Sequence, residues 1–372
     1  MKIPLCTPDI GEKELKAAAE VLKSGWLADG PKSKEFEEKF AKYIGTKHAI
    51  TLNSCTSALF LALKAQGIVG DVIMPSFTFV ASANAAVTAG AQPIFADVDY
   101  DTCNIDIDKL QEMITPATEA IMPVHYAGQS ANMKAIMDIA EDNDLKVIED
   151  SAETIGGTFA GKKTGTFGVG CFSFYPTKNI ATGEGGMVTT DDEKLAKDIS
   201  RLKAHGVDKS AYEREQSERP WYRAATAAGY NFRMPDVLAA IGAVQMEKID
   251  EMNDKRRAHA QYLTKNLVDD NIDVPVETKD CKHVYQMYTI KVKGIDRNSF
   301  VKALRKEGIG ASVHFDPPVH KQPYYLAFRK GTMDVTEKVA ESIVTLPMFP
   351  SLTREELDFI IETVEKTVNS LK

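Results

Sequence analysis

The apolar positions along the chain change period several times, and each change marks an element. In the opening segment Leu15, Ala18, Ala19 and Leu22 recur at helical spacing and stop at Ser24-Gly25, which predicts a helix ended by a glycine. A turn around GWLADGPKS leads into a second helical pattern, KEFEEKFAKYIG. HAITLNSCTSALFLALKAQG then reads as a strand, a small polar turn and a helix with Leu59, Ala62 and Leu63 inward. Apolar strands alternate with helical stretches through IMPSFTFVASANAAVTAG, AQPIFADVDY, TEAIMPVHYAG, ANMKAIMDIAEDNDL and KVIEDSAE. That alternation predicts an α/β architecture with a mostly parallel sheet covered on both faces, whose ligands gather at the carboxyl ends of the strands.

The stretch CFSFYPTKNIATGEGGMVTTDD follows. It reads as a short strand from Cys171 to Phe174, a turn carrying Pro176 and Lys178, a cluster of Gly183, Gly185 and Gly186, and a second strand from Met187 to Thr190. After the helix KLAKDISRLKAHG, residues 206–229 are polar with little periodicity, as in functional loops. A long helical run then begins, with Val237, Ile241, Val244 and Ile249 on one side, and the domain change is expected within it. Residues 1–250 form the large domain in this reading. Residues 251–372 form a small α+β domain from the strands VYQMYTIKV and IGASVHF, the helix NSFVKALRKEG and a final helix opened by a Thr353–Glu356 capping box.

Length supports two domains, since 372 residues exceed what one core usually serves. No apolar run approaches the roughly 20 residues that cross a bilayer, and MKIPLCTPDIGEKELKAAAE lacks a secretory pattern, so the expected location is the cytoplasm. Five cysteines without a CxxC pair, and histidines that do not cluster, argue against a disulfide framework and a zinc or iron–sulfur site. A net charge of −8 with interspersed Lys and Glu disfavours nucleic acid, while leaving room for a local basic pocket.

Lys178 is the central chemical candidate. A lysine in a polar turn is often only a solvated charge. Here Pro176, the glycines and the flanking apolar strands crowd it toward a partly desolvated site, where burial penalises the ammonium and frees the amine to condense with an aldehyde. Ser54, Cys55, Thr56 and Ser57 open a helix with N–H groups and hydroxyls that suit a phosphate, or serve as simple caps. Asp150 ends the strand KVIED, either as a buried carboxylate with a partner or as a cap. Trp26 either lines a site or covers the core. GGTFAGKKTG fails as a P-loop because Lys163 stands where a hydroxyl must bind magnesium, and GTFGVG has the wrong glycine spacing for a dinucleotide fingerprint. His314 and His320 flank Asp316-Pro317-Pro318 at a spacing that suits no common zinc motif, leaving substrate contact or surface placement. Taken together, Thr56, Phe79, Asp150, Ser173 and Lys178 supply what pyridoxal phosphate (PLP) asks of a protein: phosphate donors, a stacking ring, an acid for the ring nitrogen, a hydroxyl and an amine.

In order, NSCTSALFLAL, PSFTFVASANA, IFADVD, MPVHYAGQSANM, VIEDSAETIGG, FSFYPTKNIATGEGGMV, GYNFRMPDVLAAIG and TLPMFPSLT resemble the PLP-dependent nucleotide-sugar aminotransferases of the DegT/DnrJ/EryC1/StrS family, from about Gly25 to nearly the C-terminus. The resemblance implies the aspartate-aminotransferase fold (PLP fold type I). It makes Lys178 the Schiff-base lysine, Asp150 the partner of the pyridine nitrogen and Phe79 the stacking aromatic. Cys55, Thr56 and Ser173 become phosphate contacts, and Glu153 stands next to the cofactor hydroxyl. Asn231 and Arg233 match residues that reach across a homodimer to the neighbour's cofactor, so two shared active sites are implied. His314, Trp221 and Tyr222 are expected toward the sugar.

Two positions depart from the common pattern. Glu153 stands where many members carry Gln or His, and it resembles the perosamine-synthase-like subgroup that aminates carbon 4 of a 4-keto-6-deoxy sugar. Gln286 stands where many relatives have His. The implied reaction moves an amino group from glutamate to a keto group of a nucleotide-linked hexose. Carbon-3 amination and a non-catalytic PLP- or sugar-binding regulator are the alternatives, while the 3-dehydratase branch has His in place of Lys178.

Overall fold

In the computed structural model of the chain, residues 1–208 and 211–372 are described. The chain lays down β1 (His48–Leu52), β2 (Asp71–Pro75), β3 (Gln92–Ala96), β4 (Thr118–Ile121) and β5 (Lys146–Asp150). A small hairpin of β6 (Thr158–Phe159) and β7 (Lys162–Lys163) follows, then β8 (Val169–Ser173) and β9 (Gly186–Thr190). Seven of these strands form one sheet in the order β1-β9-β8-β5-β4-β2-β3. Only β9 runs against the others, so the expected mostly parallel sheet is present.

Alternation along each strand feeds two layers. From β2, Val72 and Met74 pack with Leu59, Leu63, Ala83 and Ala86 of the helices Cys55–Ala65 and Val80–Ala89, while Ile73 joins Ile94, Ile121, Ile136 and Val147 on the other face. Phe36 and Phe40 of the helix Pro31–Ile44 close that other side near Phe172 and Phe174. Each such side chain withdrawn from water contributes about 1.5–3 kcal/mol. Register then brings the functional ends together: Asp150 lies opposite Cys171, Ser173 opposite Gly186, and Gly186 opposite Leu52.

A second sheet of β10 (Ile272–Asp273), β12 (Tyr288–Val292) and β13 (Ile343–Leu346) has its own core; β11 (Cys281–Lys282) instead pairs with β6. The helices Ile249–Asn266, Arg297–Lys306 and Arg354–Leu371 pack on it, and the last opens with the expected capping box, in which Thr353 and Glu356 exchange bonds. Ile3 enters this core too, through a bridge to Ile309.

Three expectations needed correction. The long helical run is two helices, Asp236–Gln245 and Ile249–Asn266; around the break the Gln245 and Lys248 side chains turn onto Asp9 and Glu14. The first of these helices buries its small residues Ala239, Ala240, Gly242 and Ala243, leaving Val237, Ile241 and Val244 half-buried. Close packing selects that face, since a Cβ on Gly242 would lie 2.5 Å from the Phe36 ring. In the helix Glu12–Ser24 the buried residues are Glu14 and Val21, while Leu15 and Leu22 are 58% and 59% exposed. Finally, IGASVHF makes isolated bridges in place of a strand, and the strand of this region is β13.

Candidate active site

At the carboxyl edge of the sheet lies a cavity of about 530 Å³. Cys55, Thr56, Phe79, Asp150, Glu153, Ser173, Lys178 and His314, scattered over the sequence, all line it. Each arrives on a defined element. Asp150 and Ser173 end β5 and β8, Cys55 and Thr56 open the helix that follows β1, and Lys178 sits in the turn between β8 and β9. That turn begins with the Lys178 N–H donating to the Tyr175 carbonyl at 2.9 Å.

Ser54 caps the helix, its hydroxyl accepting from the Ser57 N–H at 3.1 Å. Capping and anion binding are therefore compatible: Ser57 is used internally, while first-turn N–H groups such as those of Cys55 and Thr56 have no intrahelical acceptor and favour an anion. Gly186 keeps this corner tight, because a Cβ there would lie 2.3 Å from the Ser54 carbonyl carbon and 2.6 Å from the Cys55 nitrogen.

Asp150 is buried. Its Oδ2 accepts from the Ser82 hydroxyl at 2.7 Å and its Oδ1 from the Ala152 N–H at 3.3 Å. Burial raises its pKa above the ordinary value, helped by the Glu153 charge and opposed by those two bonds and by Lys178. Lys178 Nζ meets Glu153 Oε1 at 3.2 Å, and Glu153 Oε2 accepts from the Ala127 N–H at 2.8 Å. Phe79 is 60% exposed at the cavity wall, and its ring packs on Phe315 at 6.0 Å.

His314 Nδ1 lies 2.9 Å from the Thr345 hydroxyl, and its carbonyl accepts from the Tyr126 hydroxyl at 2.7 Å. Burial lowers its pKa, so the ring is neutral near pH 7. His320 instead bonds Ser76 and Glu337 away from this cavity. Trp26 also lies outside it, edge-on to Tyr212. No cluster of three or more metal-ligating side chains occurs among the described residues. None of the described helices is long and apolar enough to cross a membrane.

Four predicted residues lie elsewhere in this chain. Asn231 and Arg233 bond each other at 3.0 Å, and Arg233 Nη2 lies 3.3 Å from His205 Nε2. Arg233, His205, Arg223 and Asp29 border a second cavity of about 420 Å³. Trp221 and Tyr222 are 75% and 62% exposed and line neither cavity. Conversely, sequence reasoning missed Ser82, Thr345, Phe315 and Cys6. They come from segments far from the lysine in the chain, and nothing in their own spacing marks them.

The chain matches the DegT/DnrJ/EryC1/StrS aminotransferase family over residues 8–365 and belongs to it. It is similar to the spore coat polysaccharide biosynthesis protein SpsC of Bacillus subtilis, at 41% identity over 98% of this chain and 97% of that one. UDP-4-amino-4-deoxy-L-arabinose–oxoglutarate aminotransferase of Shewanella sediminis is 36% identical, over 99% of this chain and 98% of the other. Among solved structures, the PLP form of Spr1654 from Streptococcus pneumoniae superimposes with a TM-score of 0.92 at 28% identity, covering 100% of both chains. The protein is thus a PLP-dependent sugar aminotransferase of the aspartate-aminotransferase fold. Its own cavity fits that cofactor. The buried Asp150 carboxyl forms no salt bridge among the described residues, the helix start offers first-turn N–H groups, and Phe79 presents an exposed ring.

Proposed function

We propose that the protein transfers the amino group of glutamate to the C4 keto group of a nucleotide-linked 4-keto-6-deoxy hexose. The observation that carries this reading is the convergence of Lys178, Glu153 and Asp150 in one cavity over the strand ends. The name of the Shewanella sediminis relative pairs a 4-amino-4-deoxy sugar with oxoglutarate, the keto acid that glutamate becomes, and so favours carbon 4 and glutamate here.

In this reading Thr56, Cys55 and Ser173 hold the phosphate, and Phe79 covers one face of the ring. Bound there, PLP supplies an electron sink for the carbon that carries the amine. The Asp150 carboxylate, stabilised by the Ser82 hydroxyl, would be the partner of the pyridine nitrogen and favour its protonated form. Lys178 Nζ would accept the proton from the amine-bearing carbon of glutamate and, in the sugar half-reaction, give a proton to the sugar carbon that receives the amine, and Glu153 at 3.2 Å would orient the lysine amine between these acts. His314, neutral at pH 7, offers a donor or acceptor to the sugar without adding charge. Trp221 and Tyr222, outside both cavities of their own chain, reach the sugar in this reading only across the subunit interface.

The active unit is a homodimer in this reading, with Asn231 and Arg233 serving the partner's site. It works in the cytoplasm, in keeping with five cysteines that are all free.

An absorbance spectrum of the purified protein tests the reaction. A visible band that shifts on adding glutamate and returns with one of the UDP-, dTDP- or GDP-linked 4-keto-6-deoxy hexoses is the expected result. Lys178→Ala loses both the original band and turnover. An active alanine variant removes Lys178 from the chemistry, and a band indifferent to every sugar removes the substrate assignment.

A further inference from the structure

Of the two histidines that flank Asp316-Pro317-Pro318, His314 lines the main cavity and His320 does not. His320 is buried at 0% exposure beside the equally buried Ser76. An imidazole withdrawn from water needs polar partners of its own, and it finds them on both sides.

Ser76 is the first residue after β2, at the carboxyl edge of the sheet. Its carbonyl accepts from the Val319 N–H at 3.1 Å, its hydroxyl oxygen accepts from the His320 N–H at 3.3 Å, and the same oxygen lies 2.5 Å from His320 Nδ1. His320 Nε2 lies 3.1 Å from Glu337 Oε1. Lys321, at 2.6 Å, holds the Glu337 carboxyl below its ordinary pKa, so this carboxylate only accepts. The ring proton therefore sits on Nε2. Burial keeps the imidazole neutral, which leaves Nδ1 to accept from the Ser76 hydroxyl.

This clamp joins two segments that both reach the cavity. Downstream of Ser76, Phe77 packs on Tyr126 and Phe315, Phe79 lines the cavity, and the Thr78 hydroxyl lies 2.9 Å from that of Ser82, which donates to Asp150. Upstream of His320, His314 and Phe315 line the same cavity, and Phe315 packs on Phe79 at 6.0 Å. Hydrogen bonds are directional, so those made to Ser76 set the register in which these rings meet.

We propose that His320 is a positioning residue, which by holding Ser76 fixes the segment that aims Phe79 against the segment that carries His314. The proposal rests on the reading above in which Phe79 covers the cofactor ring.

The test titrates PLP into cofactor-free wild type, Ser76→Ala, His320→Gln and His320→Asn, read by visible absorbance and circular dichroism, with thermal melts alongside. Asn puts its amide oxygen where Nδ1 stood and keeps the bond to Ser76, whereas Gln reaches Glu337 in place of Nε2 and gives up Ser76. Ser76→Ala and His320→Gln are expected to raise the PLP Kd about fivefold, the effect of one neutral hydrogen bond, and to weaken the dichroic band. His320→Asn stays within about twofold of wild type in Kd and keeps the band, although its smaller side chain lowers the melting temperature. The Ser76→Ala/His320→Gln double variant binds no more weakly than either single one, because both remove the same interaction.

Lower melting temperatures with unchanged Kd and dichroism in Ser76→Ala and His320→Gln make the cluster a structural one and overturn the proposal. So does a His320→Asn variant as weak as His320→Gln, which shifts the effect from Ser76 to Glu337 or to packing. Phe79→Leu tests the reading beneath it: if that variant binds PLP with wild-type Kd and dichroism, Phe79 is not on the ring and the proposal falls with that reading. None of these measurements needs a sugar, so they decide the matter even where the substrate assignment fails.

Discussion

Asp150 shows what burial costs a carboxylate at the edge of a cavity. Burial holds its carboxyl above the ordinary value of 3.8, so ionisation is harder in the folded chain than in the unfolded one. Below that ordinary value both states keep the proton and no penalty exists. The penalty grows as pH rises and is complete above the folded-state value. In cofactor-free protein, Asp150→Asn therefore melts higher than wild type at pH 7, by about 1–3 °C, and the gap closes toward pH 4. Thermal melts at the two pH values check this, and a gap of equal size at both would deny burial as its origin. On the role proposed for Asp150 the same variant also loses the acid for the pyridine nitrogen, so its turnover is expected to fall while its stability rises. The end of the strand KVIED marked Asp150 as a candidate, but sequence alone left cap and site residue level. Tertiary structure adds a distant partner, the Ser82 hydroxyl from another helix at 2.7 Å, beside the local bond from the Ala152 N–H at 3.3 Å.

One position earlier on β5, Glu149 points the other way and organises a loop. Its carboxylate accepts from the N–H groups of Gly165 at 2.8 Å, Phe167 at 2.8 Å and Gly168 at 2.9 Å. His125 Nδ1 accepts from the Ala131 N–H at 3.1 Å, which leaves the ring proton on Nε2 to donate to Glu149 Oε2 at 3.1 Å. Burial alone would raise the Glu149 pKa, but the His125 contact and the backbone donors outweigh it and hold it below the ordinary value. A depressed acid contributes stability that is present above its ordinary value of 4.5 and lost as pH falls through the folded-state value. Glu149→Gln sets an amide NH2 among donors and costs about 2–3 kcal/mol at pH 7. Urea melts should show that difference shrinking on acidification, and a pH-independent loss would mean that packing alone is at stake.

This element also marks the limit of what the sequence displays. GTFGVG was readable as turn glycines and not as a dinucleotide fingerprint, yet the acid that gathers the turn lies outside the motif with no pattern linking the two. Period and capping found most elements of the sheet and the Thr353–Glu356 box, because those signals are local. IGASVHF read as a strand because its residues suit one, but its backbone finds only single bridges, Ile309 to Ile3 and Ser312 to Thr345.

At the scale of the whole molecule, an apolar stripe says that something covers it and not what. Leu15 and Leu22 recur at helical spacing and Val237, Ile241 and Val244 share one side of their helix, but the first two are exposed and the others only half-buried. Their helices, Glu12–Ser24 and Asp236–Gln245, pack side by side, and an apolar surface of this kind fits a second copy of the chain. Asn231 and Arg233 point in the same direction, since they hold each other outside the cavity that contains Lys178. If they serve the neighbour's cofactor, subunits damaged at different places can repair one another. Lys178→Ala and Arg233→Ala homodimers are each expected to be nearly inactive. After the two are unfolded together and refolded, random pairing puts half the chains in mixed dimers, each with one site that has both its own Lys178 and the partner subunit's Arg233. Such a mixture recovers about a quarter of wild-type turnover, as two-fold symmetry requires. Sites complete within one chain give only the average of the two parent activities, because no pairing can then join the intact lysine of one subunit to the intact arginine of the other.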